Sequence, residues 1–465
     1  MAELECDYLI VGAGAVGMSF VDTLLDESQA SVVMIDKHHV PGGHWNDAYP
    51  FVRLHQPSHF YGVTSTELGT KRIDQTGSNA GYFELASGNE VQSYFERIMR
   101  ERFLPSGRVQ YFPMSEYLGD HQFRNLLSNE SYSVKVRERV VDSTYFQTSV
   151  PSRHKPNFTV APDAQCIPPN ELPLRAQSGA TYCVLGAGKT AMDTLVWLLD
   201  NGAEPQDIHW VCPRASWMIN RDVTQASVEF FKQSIGGFAA QMQALAEATS
   251  VEDLFARLEA CGFMIRIDTS QFPEMFHYAT ISVGEVEQLR RIEQVIAEGR
   301  VSEIRGSGML FANQTEVALP EDTLYIDCTA SAVNFHQVSD RPVYEDGLIT
   351  IQPTRMPNPC LSAAIAAYVE FNYDDDVKRN QLSTPVQLPD SPKGFMRSTL
   401  GNMMNQVAWS NEPGLSEFVN KNRLDGFGAV IAAADLTDPE NAEIMERLQR
   451  YGEPAVANLW KLLSE

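Results

Sequence analysis

The chain has 465 residues, 43% apolar and 21% charged, which is ordinary globular usage and argues against extended disorder. Its formal net charge of −24 repels phosphate backbones and anionic lipid surfaces, so neither nucleic acid nor a membrane is an expected partner. No run reaches the ~20 apolar residues needed to cross a bilayer, and the acidic start Met1-Ala-Glu-Leu-Glu5 is no secretory signal, so a cytoplasmic protein is expected.

From the amino end, the apolar run Cys6–Val11 is a predicted strand. It feeds Gly12-Ala-Gly14-Ala-Val-Gly17 and a helical stretch over 18–25. The next apolar run, Ser31–Ile35, ends in Asp36, 19 residues past Gly17. A glycine triplet alone means little, but a strand before it, a helix after it and an acid closing the next strand are what a dinucleotide seat requires. The first two glycines let a diphosphate approach backbone N–H groups at the helix N-terminus. The third lets helix and strand pack closely, and the acid accepts from a ribose hydroxyl. Gly42-Gly43-His44-Trp45 follows, then Tyr49-Pro50 and Arg53-Leu54-His55-Gln56-Pro57.

His38 and His39 read as polar surface residues. His55 and His59 are four apart, but Pro57 breaks the helix that a metal pair at that spacing needs, and no metal is expected. Residues 90–104 place Val91, Tyr94, Phe95, Ile98 and Met99 at a helical period. Short strands are expected over 108–112, 131–136 and 140–146. The proline-rich stretch 151–173 reads as a linker.

The layout then repeats. Thr181–Leu185 runs into Gly186-Ala-Gly188-Lys189-Thr190-Ala191 and a helix over 192–199, so the second turn begins 174 residues after the first. A P-loop would need glycine at 183, where Cys stands. Alanine in the third place is within the dinucleotide fingerprint. The following strand, Ile208–Cys212, ends in Pro213-Arg214, where an NAD seat carries an acid. A guanidinium there pairs with the 2′-phosphate of NADPH, so NADPH is expected over NADH, with Lys189 and Arg221 as candidate helpers.

Residues 224–299 read as largely helical, including 286–298. Strand-like runs follow and end at Asp327. A helix is expected over 361–371, and the tail from 392 is helical towards its end. The seven cysteines are widely spaced with no Cys-x-x-Cys pair, which excludes a zinc ribbon and a local dithiol centre.

The Gly-Gly-x-Trp and Tyr-Pro after Asp36, with the two glycine turns, resemble the class B flavoprotein monooxygenases, the flavin-containing and Baeyer–Villiger enzymes. The resemblance implies an α/β fold of two Rossmann-like, doubly wound domains. In it an FAD domain (1–165 and 331–390) is split by an inserted NAD(P)H domain (166–330, with a helical insertion over about 223–300). A mostly helical segment, 391–465, follows. It implies FAD held by Gly12, Gly14, Gly17, Asp36, Lys37, Gly43, His44, Trp45, Leu54, Thr329 and Ala330, with Trp45 covering part of the isoalloxazine. The run Asp327–Ala330 would be the return into the FAD domain.

NADPH would be held by Gly186, Gly188, Lys189, Thr190 and Arg214. His55, Gln56 and Arg53 become the candidate catalytic residues. The implied reaction is reduction of the flavin by NADPH, capture of O₂ as a C4a-hydroperoxide, and oxygenation of a small amine, sulfide or ketone, by a protein that is a candidate homodimer. A flavin dehydrogenase or oxidase without oxygen insertion, and a redox-sensing dinucleotide binder, are the alternatives. The family's Phe-x-Gly-x-x-x-His-[Ser/Thr] linker motif is absent, and Val150–Phe158 stands in its place.

Overall fold

The computed structural model describes residues 2–146, 148–331 and 341–464. The chain opens with β1 (Ala2–Val11), whose buried face is continuous from Tyr8 to Ile10. After the Gly12–Gly17 turn come α1 (Ala15–Glu27) and β2 (Val32–Ile35), buried at all four positions as a central parallel strand must be. Helix α2 (Gly88–Ile98) starts on a capping box, with Ser87 and Glu90 satisfying each other's backbone N–H groups. Then come β3 (Val109–Phe112), the hairpin β4 (Ser115–Gly119) and β5 (Gln122–Asn125), and β6 (Ser131–Asp142). The two strands expected over 131–146 are one strand, because it pairs along the whole of β1 with a register shift at Cys6/Tyr8.

The proline-rich stretch 151–173 is not a bare linker: it contains β7 (Thr159–Val160), β8 (Gln165–Ile167) and the start of α3 (Leu172–Arg175), with β7 pairing the later strand Val301–Arg305 and β8 the later strand Leu324–Asp327. After it come β9 (Tyr182–Leu185), α4 (Lys189–Asp200) and β10 (Ile208–Val211). The insertion follows: β11 (Ser216–Asn220), α5 (Phe231–Glu247), α6 (Val251–Ala260), β12 (Met264–Ile265) and β13 (Met275–Ile281). It is not wholly helical, since β11, β12 and β13 form a small sheet of their own. Residues 286–298 are not one helix either. α7 (Val283–Leu289) stops there and β14 (Gln294–Ile296) joins the edge of the second sheet beside β10. A side sheet of β15 (Val301–Arg305), β16 (Gly308–Phe311) and β17 (Glu316–Ala318) precedes β18 (Leu324–Asp327). β19 (Tyr344–Glu345), β20 (Leu348–Thr350), α8 (Pro359–Asn372) and α9 (Asp376–Leu382) lead into the tail helices α10 (Pro392–Ser410), α11 (Pro413–Lys421), α12 (Phe427–Ala432) and α13 (Pro439–Ser464).

Two parallel sheets organise the chain. In the first, β20, β6, β1, β2 and β3 are neighbours in that order and all parallel. In the second the order is β14-β10-β9-β18-β8, again all parallel. β18 therefore stands inside the second sheet, beside β9, and the return to the first comes only with β19 and β20. The crossing between them runs through 332–340, outside the described residues.

Helices α1 and α8 pack side by side and parallel. Ser19 Oγ donates to the Cys360 carbonyl at 2.8 Å near their starts, and Asn372 Nδ2 donates to Glu27 at 3.2 Å near their ends. The tail and the insertion share one core, in which Leu254, Phe255 and Leu258 of α6 meet Phe395 of α10 and Ala455, Leu459 and Leu462 of α13. Among the described residues no helix is long and apolar enough to cross a membrane, and the seven cysteines are all free.

Candidate functional site

Each parallel sheet ends in a glycine turn that only glycine can make. Gly12 sits at φ +101° and Gly186 at +124°, in the region that side chains disfavour. A Cβ on Gly17 would stand 2.1 Å from the Gly12 carbonyl oxygen, so helix α1 approaches β1 as closely as backbone permits. A Cβ on Gly43 would stand 2.9 Å from Gly14 Cα, which brings the Gly42-Gly43 segment directly over the first turn. Above Gly188 nothing lies within 4 Å of an added Cβ, so the second turn is open. Gly14 and Gly188 are the N-caps of α1 and α4, and neither has a side-chain cap. Both helices thus present uncapped backbone N–H groups at their positive ends, the arrangement that accepts a phosphate.

Asp36, at the end of β2, is buried and aimed back at the first turn. Its Oδ2 accepts the Ala13 N–H at 2.6 Å, and its Oδ1 accepts the His38 N–H at 2.7 Å. His38 is not a surface residue. Its ring is buried between two carboxylates, with Nδ1 2.7 Å from Asp36 Oδ1 and Nε2 2.9 Å from Asp47 Oδ2. The backbone has to turn sharply after β2 to bring Gly43 over Gly14, and this turns the His38 side chain inward. His39 and Lys37 are exposed. His44 is open to solvent, yet the protein around it pushes its imidazole down to about 4. Trp45 is a core residue whose indole N–H donates to Tyr61 Oη at 2.8 Å, which fixes the orientation of its ring.

The three candidate catalytic residues separate. Arg53 is exposed and its guanidinium donates to the Leu85 carbonyl at 2.9 Å, while Leu54 is buried. His55, with Gln56 half-buried beside it, reaches the second unit, where its Nε2 lies 3.6 Å from Asp193 Oδ2 on α4. The same oxygen accepts from Tyr49 Oη at 2.7 Å. Asp193 and Lys189 form an i,i+4 pair, and Lys189 also reaches Glu285 at 2.8 Å.

Arg221, only 1% exposed, closes the chain: it binds Glu285 at 2.7 Å, Asn79 at 3.1 Å and the His55 carbonyl at 3.2 Å. It is therefore neither surface charge nor free for a cofactor phosphate, and Lys189 is spent in the same network. Burial opposes every charge here, but the mutual attraction wins. Lys189 is held above its usual range by Asp193 and Glu285, Asp193 is held well below the carboxylate range, and Glu285 is held down to about 2.

Arg214 is exposed and has no ion pair among the described residues, so it remains the cation available at the end of β10. Thr329 and Ala330 follow β18 beside the second turn, where a Cβ on Gly186 would meet the Cys328 carbonyl at 2.8 Å. Thr329 Oγ1 caps Asp327 at 2.6 Å and lies 3.2 Å from His154 Nε2. Thr190, in the first turn of α4, gives its carbonyl to Thr194 Oγ1.

Sequence reasoning missed Asp193, Glu285 and Asp47. The Lys189–Asp193 spacing was a visible signal for the first of these. It also missed Arg423, whose guanidinium gathers the carbonyls of His59, Tyr61, Val63 and Thr66 and so fixes the loop after His55 from the tail. No group of three or more metal-ligating side chains occurs among the described residues.

Residues 10–65 match the NAD(P)-binding Rossmann-like domain family. An uncharacterised protein of Mycobacterium tuberculosis (strain ATCC 25618 / H37Rv) is 45% identical over 422 residues, covering 91% of this chain and 78% of the relative, and its Mycobacterium bovis counterpart matches equally. Among solved structures, a flavin-containing monooxygenase from Stenotrophomonas maltophilia is 14% identical, covering 76% of this chain and 86% of its own, with a TM-score of 0.41. A cyclohexanone monooxygenase variant from Rhodococcus sp. Phi1 bound to NADP+ is 14% identical, covering 79% and 85%, with a TM-score of 0.48.

Proposed function

This chain belongs to the family of the mycobacterial proteins it matches, and we propose that it is an FAD-dependent, NADPH-using oxidoreductase, more narrowly a monooxygenase of small organic substrates. The observation that carries the proposal is the pair of glycine turns, each at the end of a parallel sheet and each opening an uncapped helix, joined through Tyr49, His55 and Asp193. One dinucleotide seat would suit many enzymes. Two seats whose walls touch suit electron transfer between two bound dinucleotides.

Gly12, Gly14, Gly17 and Gly43 let the backbone close up tightly around the start of α1, whose uncapped N–H groups would take a diphosphate, and Asp36 supplies the ribose acceptor. The parallel α8 adds a second positive helix end next to that of α1, which favours negative charge on a flavin ring. Gly186, Gly188 and Thr190 form the second seat, and Arg214 supplies a planar cation for a 2′-phosphate. FAD, when bound, supplies the two-electron chemistry that amino acids lack and can pass reducing equivalents from NADPH to O₂.

The chain's own part is to orient the two seats through the Tyr49–Asp193 bond and to hold a proton at His55 Nε2 where they meet. Gln56 follows His55 in the chain and is half-buried. Arg53 contributes by pinning the segment to Leu85.

The test is purification followed by spectroscopy and turnover. The protein should be yellow and consume NADPH under air. An amine, sulfide or ketone that accelerates consumption and gains one oxygen atom identifies the monooxygenase. NADPH use with stoichiometric peroxide and no oxygenated product identifies an oxidase. A colourless protein that cannot be reconstituted with FAD removes the proposal.

A further inference from the structure

His38 carries an inference that rests on the flavin reading and deepens it. Its ring is 7% exposed and lies between Asp36 at 2.7 Å and Asp47 at 2.9 Å, one carboxylate on each nitrogen. A neutral imidazole has one N–H and one lone pair. In either tautomer one nitrogen would direct its lone pair at a carboxylate oxygen within 3 Å. Only the imidazolium donates in both directions. We propose that His38, as a cation, is the positioning residue of the first cofactor seat: it fixes Asp36 towards the ribose and ties it to the Gly43–Asp47 turn that covers Gly14.

The accounting of acceptors supports this assignment. Asp36 Oδ1 takes both the backbone N–H and the ring N–H of His38. Among the described residues Oδ2 takes only the Ala13 N–H, which leaves this oxygen with capacity to accept from a ribose hydroxyl. Asp47 is held in turn by Arg153 at 2.8 Å, and its carbonyl accepts from Ser152 at 2.8 Å and Asn170 at 3.1 Å, all from the segment that leads into the second sheet. The ring thus links the ribose acid, the cover of the diphosphate seat and the linker.

The other titratable groups facing this cluster are His44, on the same turn as Asp47, and Tyr111, on β3 beside Asp36. Burial pushes Tyr111 up, so its hydroxyl stays neutral, and the protein crowding the His44 ring, together with the positive charge on His38, pushes that imidazole down although the residue keeps an exposed edge. The hydrogen bond to Asp36 raises the affinity of His38 for its proton, against the cost of burial.

The experiment is equilibrium FAD binding to the deflavinated full-length protein, read by quenching of flavin fluorescence across the pH range in which a histidine titrates. Wild type should bind about tenfold more weakly once the ring loses its proton, the cost of one charge-assisted hydrogen bond. His38→Gln should be weak throughout and flat with pH. Asp47→Asn should bind tightly and also flat, because an amide pairs with a neutral imidazole, and this conservative variant carries the test if His38→Gln fails to fold. A flat wild-type curve, or variants that follow the wild-type curve, would overturn the assignment. Histidine ¹⁵N chemical shifts of the flavin-free protein separate this from the flavin reading. Two protonated ring nitrogens at His38 support the cation even if no flavin binds, and a single one refutes it.

Discussion

The Tyr49 hydroxyl donates to Asp193 Oδ2 at 2.7 Å, joining a residue that follows the first glycine turn to one on the helix that opens at the second. The two groups are separated by 144 residues, and both are buried or nearly so. Because the acceptor is an ionised carboxylate already paired with Lys189, the bond is stronger than one between neutral groups.

Tyr49→Phe should therefore destabilise the protein by about 1.5–3 kcal/mol, the range for a hydrogen bond to a charged group. Asp193→Ala should cost more, about 3–5 kcal/mol, because it strips the buried Lys189 of one counter-charge. Urea unfolding monitored by tryptophan fluorescence gives both values. Equal and negligible losses would mean that the two sheets are held together by other contacts.

Gly17→Ala places a methyl group 2.1 Å from the Gly12 carbonyl, so α1 has to move off β1. Overpacking of this kind costs about 1–3 kcal/mol and displaces the N–H groups at the start of α1. The expected result is a folded but flavin-poor protein, measured as the ratio of visible to ultraviolet absorbance. Gly188→Ala, where the added Cβ meets no protein atom, should instead spare flavin content and raise the KM for NADPH.

Replacing Arg214 by Ala removes a cation with no ion-pair partner among the described residues, so stability should barely change. The KM for NADPH should rise at least tenfold while that for NADH stays nearly constant, since only the former carries the 2′-phosphate. Steady-state kinetics with both donors decide this. A parallel rise for both would place the phosphate elsewhere.

Acid should unfold this protein through the same junction. Glu285 is held down to about 2 in the fold, against an ordinary 4.5, by Lys189 and Arg221 outweighing its burial. A depressed carboxyl contributes stability that is complete above its unfolded value and is lost as pH falls through the folded one. Unfolding free energy should therefore fall between about pH 4.5 and pH 2, with Asp193 adding to the same loss. Glu285→Gln should lower stability near neutrality and flatten that slope. An unchanged slope would show that other carboxylates control acid unfolding.

The sequence by itself determined the two strand–glycine turn–helix units. Strand, glycine turn, helix and closing acid are local features, governed by backbone sterics and hydrogen bonding within about 30 residues, so Gly12 to Asp36 and Gly186 to Arg214 could be placed from spacing alone. It also marked α2 by its periodicity. Tertiary structure alone decided which charges are free. Lys189, Arg214 and Arg221 are alike in sequence, yet burial pairs the first and last with Asp193 and Glu285 and leaves Arg214 open. It likewise turned His38 inward between Asp36 and Asp47 and brought Arg423 from the tail onto the loop after His55. The physical reason is that a side chain's electrostatic role depends on desolvation and on partners far away in the chain, and neither is written in its neighbours.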